Sequence, residues 1–255
     1  MAKKVHIILQ GKGGVGKSFI AIMLAMYYQH NGIAYHGFDT DPVNSTFAGF
    51  KGLDVEYFNV SNTNNEIEPA LFDGLFEKVI ENCQDKDAII DVGSNGFMNL
   101  CSYLIATDLF TILTEAGFEV YVHSSIVGGQ NLLDTLNGFD SICTSFPKDV
   151  EFVVWQNPFW GPVEVDGRKL DDFKSYKRHQ NRVAAMIEIP VFGSSLNTKD
   201  LTDMLTSRLT FTEIQTGQYP QFKIFALQRL KNVQKTFFEK IDASQLINNS
   251  NATAE

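Results

Sequence analysis

Short apolar runs alternate along this chain with longer stretches in which apolar residues recur at helical spacing. Val5 to Gln10, Ala34 to Phe38, Ala88 to Asp91, Phe118 to His123, Phe152 to Trp155 and Met186 to Ile189 each read as a strand. Ile7-Ile8-Leu9 and Phe152-Val153-Val154-Trp155 are apolar at consecutive positions. That pattern suits a strand covered on both faces, whereas strict alternation would mark a sheet with one wet face. Strands alternating with helices predict an α/β fold: a mostly parallel central sheet with helices on both faces and ligands gathered at the carboxyl ends of the strands. With no internal repeat and no proline-rich linker, residues 1–247 read as a single domain and the polar Asn248 to Glu255 as a disordered tail. From Phe222 onward, Phe225, Leu230, Val233, Phe237 and Ile241 recur at helical spacing, with Lys231, Lys235 and Lys240 between them. Glu239 and Asp242 interrupt those bases, so the terminal helix is expected to pack on the core without anchoring the protein stably to a membrane.

Composition narrows the class. A chain of 255 residues can bury a full two-faced sheet without staples. It has no apolar run of eighteen residues, the length a spanning helix needs. The opening Met1-Ala2-Lys3-Lys4 has the charge of a signal peptide but too short an apolar stretch behind it. Cys83, Cys101 and Cys143 lie far apart, which suggests neither a disulfide framework nor a zinc site and fits a soluble protein of the reducing cytoplasm. The net charge of −9 disfavours non-specific binding to nucleic acid or anionic lipid, yet the charge is uneven. Arg168, Lys169, Lys174, Lys177, Arg178 and Arg182 stand against Asp171 and Asp172, so six bases and two acids leave +4 in that stretch. A helix surface is the expected setting, either a solvated face or a contact with a phosphate backbone or a protein.

The chemistry begins after the first strand. Gly11-Lys12-Gly13-Gly14-Val15-Gly16-Lys17-Ser18 runs directly into the apolar helix that starts Phe19-Ile20-Ala21-Ile22, the strand–loop–helix context of a P-loop NTPase. Glycines allow backbone N–H groups to close around phosphate oxygens, and the helix N-terminus adds partial positive charge there. Lys17 is placed to reach the β- and γ-phosphates of a nucleotide, and the Ser18 hydroxyl to take a position on Mg²⁺. Lys12 adds a second cation, which is either solvated or directed to phosphates outside its own loop. Asp39-Thr40-Asp41-Pro42 closes the second strand and sets two carboxylates at the same sheet edge, able to hold magnesium waters, to orient an attacking water or simply to cap a turn. Ala88-Ile89-Ile90-Asp91 is an apolar strand ending in an acid, suited to water-mediated Mg²⁺ binding, and Gly93-Ser94-Asn95-Gly96 behind it reads as a mobile switch. Asn157 ends another strand, and its amide can both donate and accept, as an adenine edge requires. Trp155, Phe159 and Trp160 are either core or a docking patch.

The loop with its extra Lys12 resembles the deviant Walker A motif of the ParA/MinD family. That resemblance implies a weak ATPase that dimerises on ATP, with Lys12 crossing the interface to the partner's nucleotide. It assigns the loop from Gly11 to Phe19 to the nucleotide, Asp41 to the catalytic water, and Asp39, Ser18 and Asp91 to magnesium. Asn157 becomes a reader of the base, and Pro190 part of the adenine pocket. This chain departs from the family in having Val43 where partition ATPases often carry glutamine, and in lacking proline in its second switch. Longer segments around Gln10, Asp41 and Asn157 are similar to ATPases that act in conjugal transfer of plasmids, which implies a plasmid-encoded transfer or maintenance protein as partner. Two rival classes share the loop. A nucleotide-responsive DNA-binding partition module would use the stretch Arg168 to Arg182. A small-molecule ATP-dependent enzyme on the same fold would show a tight substrate pocket. Iron-protein reductases need cluster cysteines, and no second cysteine matches Cys101.

Overall fold

In the computed structural model, which describes residues 2–64 and 66–247, strand β1 (Lys3–Ile8) leads through the glycine loop into helix α1 (Lys17–His30). Next come β2 (Tyr35–Asp39), β3 (Val55–Tyr57), α2 (Leu71–Asn82), β4 (Asp87–Asp91), α3 (Phe97–Ala106) and α4 (Leu109–Glu115). The chain continues through β5 (Phe118–Val127), α5 (Leu132–Ser145) and β6 (Glu151–Asn157), then a small hairpin, β7 (Glu164–Val165) and β8 (Arg168–Lys169). A short α6 (Lys174–Lys177), β9 (Val183–Glu188), α7 (Ser195–Thr206), α8 (Phe211–Ile214) and α9 (Ile224–Ala243) complete it. The predicted polar tail, Asn248 to Glu255, lies outside the described residues.

Seven strands form one sheet in the order β3-β2-β4-β1-β5-β6-β9, and every neighbouring pair is parallel. After β1 the chain turns toward β2 on one side, and after β4 it crosses to β5 on the other. The carboxyl ends of β1, β4 and β5 therefore meet where the winding reverses, the place at which such sheets open a crevice.

Both faces are dry. Val5, Ile7, Ile90, Val122, Phe152 and Val154 pack under the face that carries α2 to α6. Ile8, Ile89, Val153, Trp155 and Ile187 pack under α1, α7, α8 and α9. This is why the strands are apolar at consecutive positions: neighbouring side chains enter different cores, and each large one contributes about 1.5–3 kcal/mol by leaving water. In α9, Leu230, Val233, Phe237 and Ile241 are buried while Phe225 is exposed. Phe237 stacks on Trp155 with centroids 6.2 Å apart and meets Phe19 edge-on at 5.7 Å, fixing the helix to the sheet and to α1. Among the described residues no single helix is long and apolar enough to cross a membrane.

Two features depart from the sequence expectation. β5 continues past His123 to Val127 through Ser124 and Ser125, which are buried although polar. The basic stretch is not one helix surface but a hairpin strand, a turn, the four-residue α6 and a second turn. One of its arginines is spent inside the fold. Arg182 donates to the carbonyls of Cys143, Pro147 and Val150, closing the C-terminal end of α5, and its guanidinium lies 4.9 Å from the centroid of Phe152. Arg178 and His179 both reach Asp140, at 3.1 and 2.8 Å.

A polar chain also threads the core. Trp155 Nε1 donates to His123 Nδ1 at 2.9 Å, His123 Nε2 lies 2.8 Å from His6 Nδ1, and His6 Nε2 lies 2.8 Å from the Tyr28 hydroxyl, which donates to Asp87. The indole N–H is a donor only, so His123 Nδ1 must accept; both imidazoles are then neutral with the proton on Nε2, and every group in the chain is satisfied.

Candidate functional site

The glycine loop projects from the carboxyl end of β1 at this crevice. Gly14 and Gly16 hold φ of 70° and 93°, values a side chain strains against. Gly16 is also the N-cap of α1; no side chain caps that end and no acid stands in its first turn. Four helix N–H groups therefore face outward with the positive end of the helix dipole behind them, the arrangement that receives phosphate. Lys17 is buried at 9% exposure, and its Nζ donates to the Lys12 carbonyl at 3.2 Å. Burial pulls its pKa down, opposed by Asp91 and Asp41. An arriving anion would restore the charge that burial disfavours.

The loop is clamped from two strands. The Val15 carbonyl accepts from the Ser125 hydroxyl at 2.7 Å and from Asn157 Nδ2 at 3.0 Å. Gln10, 2% exposed, accepts the Gly11 N–H on Oε1 at 2.9 Å and donates from Nε2 to the carbonyls of Ser125 and Thr135, both at 3.2 Å. A Cβ on Gly138 would stand 2.3 Å from Gln10 Oε1, so that glycine of α5 makes room for the amide. Gln10, Ser125 and Thr135 were not singled out from the sequence, although polar residues inside apolar strands are a readable signal. The ring of Phe97 lies 3.0 Å from where a Cβ of Gly11 would be, so the first loop glycine rests on the start of α3.

The three predicted carboxylates converge here and differ in state. Asp39 is fully buried, accepting the N–H groups of Asp41 at 3.0 Å and Ala48 at 2.9 Å. Burial raises its pKa and these bonds oppose the rise. Asp41 accepts the N–H groups of Val43 and Asn44 and lies against the Cα of Gly93, bringing the segments 39–42 and 93–96 together. Asp91 is 1% exposed, and neither of its oxygens has a hydrogen-bond partner. Burial, aided by Asp39 and Asp41, pushes its carboxyl up to about 7, against the pull of the Ser18 hydroxyl and Lys17.

A buried carboxylate without a partner is costly unless something fills the place of one. Asp91, Ser18 and Asp39 are hard oxygen donors at the foot of a phosphate cradle, which suits Mg²⁺ holding waters and substrate phosphate. Among the described residues there is no cluster of three or more His, Cys, Asp or Glu that would cage a metal unaided.

The remaining predicted residues are placed differently. Lys12 Nζ pairs with Asp134 Oδ2 on α5 at 2.8 Å. Asn157 is buried with both amide atoms engaged, Nδ2 on Val15 and Oδ1 on the Phe159 N–H at 3.1 Å. Pro190 is partly buried just past β9, beside Ile189, whose N–H donates to the Gln156 carbonyl at 2.9 Å. Of the aromatic group, Trp155 is core, while Phe159 and Trp160 stand out at 70% and 57% exposure.

A parallel sheet with a glycine phosphate loop at its reversal point and acids on the neighbouring strand ends defines a P-loop nucleotide-binding protein. The chain belongs to the CobQ/CobB/MinD/ParA nucleotide binding domain family, whose pattern it matches over residues 6–250. Two Escherichia coli proteins named Protein TraL are 41% and 38% identical to it over 244 residues, each alignment covering 96% of this chain and 99% of that protein. Over 64 residues, 25% of this chain and 24% of that protein, it is 42% identical to an uncharacterized ATP-binding protein of Methanocaldococcus jannaschii. Among solved structures, the MinC:MinD cell division protein complex of Aquifex aeolicus aligns with TM-score 0.49 and 10% identity, over 92% of this chain and 96% of that one.

Proposed function

We propose that this protein is an ATP-binding and ATP-hydrolysing switch that dimerises with nucleotide, serving plasmid conjugal transfer or plasmid maintenance. The observation that carries the reading is the buried, unpartnered Asp91 carboxylate beneath an uncapped helix N-terminus. The first calls for a cation and the second for an anion, and a nucleoside triphosphate with Mg²⁺ supplies both.

In this mechanism the loop N–H groups and Lys17 hold the phosphates, while Ser18, Asp91 and Asp39 would hold the metal. Mg²⁺ when bound would neutralise charge on the β- and γ-oxygens. Asp41 positions a water whose oxygen forms a bond to the γ-phosphorus as the bond to the β-bridging oxygen breaks, giving ADP and phosphate. The demand on the protein is positioning and electrostatics, for which a carboxylate need not be a strong base. Lys12 leaves Asp134 to reach a partner's phosphates across the interface. Partners engage the closed dimer, and hydrolysis reopens it. The name shared by the two E. coli relatives supports the setting, and the archaeal relative's name supports ATP. A DNA role for the stretch Arg168 to Arg182 is less well supported, because Arg182 is engaged within the fold and Arg178 is paired with Asp140.

Light scattering with and without ATP and Mg²⁺ tests the reading. ATP should produce a dimer that Asp41→Ala traps and Lys12→Ala abolishes. A mass unchanged by a nucleotide that demonstrably binds would overturn the dimeric switch.

A further inference from the structure

Asn157 occupies an unexpected place. Its amide makes two hydrogen bonds and both are to backbone: Nδ2 to the Val15 carbonyl of the phosphate loop at 3.0 Å, and Oδ1 from the Phe159 N–H at 3.1 Å. It lies so close over the loop that a Cβ on Gly16 would stand 2.9 Å from Nδ2. One buried side chain thus joins the phosphate loop to the short turn Pro158–Trp160.

That turn presents an aromatic pair. The rings of Phe159 and Trp160 meet edge to face with centroids 4.8 Å apart. The turn is seated backbone to backbone on the start of α5, where a Cβ on Gly128 would stand 1.9 Å from the Gly161 carbonyl and one on Gly129 2.5 Å from the Trp160 carbonyl. A turn packed this closely moves as a unit with what it touches. Its only side-chain tether to the phosphate loop among the described hydrogen bonds is Asn157.

We infer that Asn157 is a positioning residue that shapes the phosphate loop and carries its nucleotide state to the exposed Phe159–Trp160 turn. This rests on the loop binding nucleotide. Each amide atom makes one of the two bonds open to it, and those two bonds place the loop and the turn on the same side chain. A shift of Val15 around incoming phosphate draws on the same amide that holds the Phe159 N–H. The Ser125 hydroxyl makes the other bond to Val15 without touching the turn, which supplies an internal control.

The test measures binding of ATP and GTP and the emission of Trp160, taken as the difference between otherwise identical proteins with and without Trp160→Phe. Asn157→Ala should weaken ATP and GTP by the same factor, about tenfold for one lost hydrogen bond to a buried carbonyl. It should also abolish the Trp160 response at saturating ATP. Ser125→Ala should weaken both nucleotides and keep that response, and the thermal midpoints of the two variants set any general loss of stability apart from the coupling. A loss confined to ATP, or a Trp160 response in Asn157→Ala equal to that of the parent, would overturn the inference while leaving the nucleotide site standing. A parent protein that binds neither nucleotide would bring down the site reading and this one together.

Discussion

Lys12 and Asp134 form an ion pair of 2.8 Å between the tip of the phosphate loop and the first turns of α5, with 42% and 58% of their side chains exposed. The lysine is therefore held within its own chain. So exposed a pair contributes little to folding, about 0–1 kcal/mol. Its consequence lies in what Lys12 must give up to go elsewhere.

Asp134→Ala removes that competitor. The variant should unfold at nearly the parent's denaturant midpoint and dimerise at lower ATP concentration, measured by analytical ultracentrifugation across an ATP titration. An unchanged ATP requirement would mean that the pair imposes no restraint on assembly.

The unpartnered Asp91 leads to a second prediction. Its folded pKa of about 7 lies above the 3.8 of an ordinary aspartate, so the unfolded chain releases this proton first and the nucleotide-free protein loses stability as pH rises from about 4 through 7. Asp91→Asn keeps the shape and removes the charge. Without ligand the variant should be more stable at pH 7.5, by about 1–3 kcal/mol, and it should lose the further stabilisation that ATP gives only with Mg²⁺. Thermal melts with ATP, with and without Mg²⁺, check both halves, and an Mg²⁺ effect equal to the parent's would remove Asp91 from the metal site.

The buried histidine pair gives a pH dependence of opposite sign. Burial, with each other's proximity, holds His6 well below 6.5, and burial holds His123 at about 3. Unfolded imidazoles protonate near 6.5, so their contribution is fully present above that pH and is lost as pH falls from 6.5 toward 3. Each unit of pH in that window costs up to about 1.4 kcal/mol per histidine. In an Asp91→Asn background, where that carboxyl no longer titrates in this window, urea midpoints at pH 7.5, 6.0 and 5.0 should fall steadily. A flat profile there would show that the pair is accessible or already charged.

Arg182 closes the end of α5 with its fork and covers Phe152. Arg182→Ala leaves carbonyls of Cys143 and Pro147 without that donor, and about 2–3 kcal/mol of stability should be lost. Double-stranded DNA titrated at low salt provides the contrast. If Arg182→Ala weakened DNA binding at unchanged stability, the basic stretch would have to be read as a nucleic-acid contact.

Much of this was legible in the residues alone. Gly11 to Ser18 after an apolar strand, Asp39 and Asp41 after the second and Asp91 at the end of another determine the class of protein, because phosphate binding needs glycine backbone, a helix start and cations in adjacent positions of the chain. The strands were legible for a similar reason: a strand buried on both faces must be apolar throughout, and that run is local. The partners of those residues were not. Gln10 to Thr135, Lys12 to Asp134, Ser125 and Asn157 to Val15 and Arg182 to the end of α5 join positions 32 to 142 residues apart. Whether a lysine waits free or paired, whether an asparagine is open to a base, and whether an arginine is surface or scaffold depend on what the strand order brings alongside. The local chemistry of the phosphate loop thus follows from consecutive residues. Which of its charges and amides are already engaged follows from the folded sheet, because those engagements are made across the strands and not along the chain.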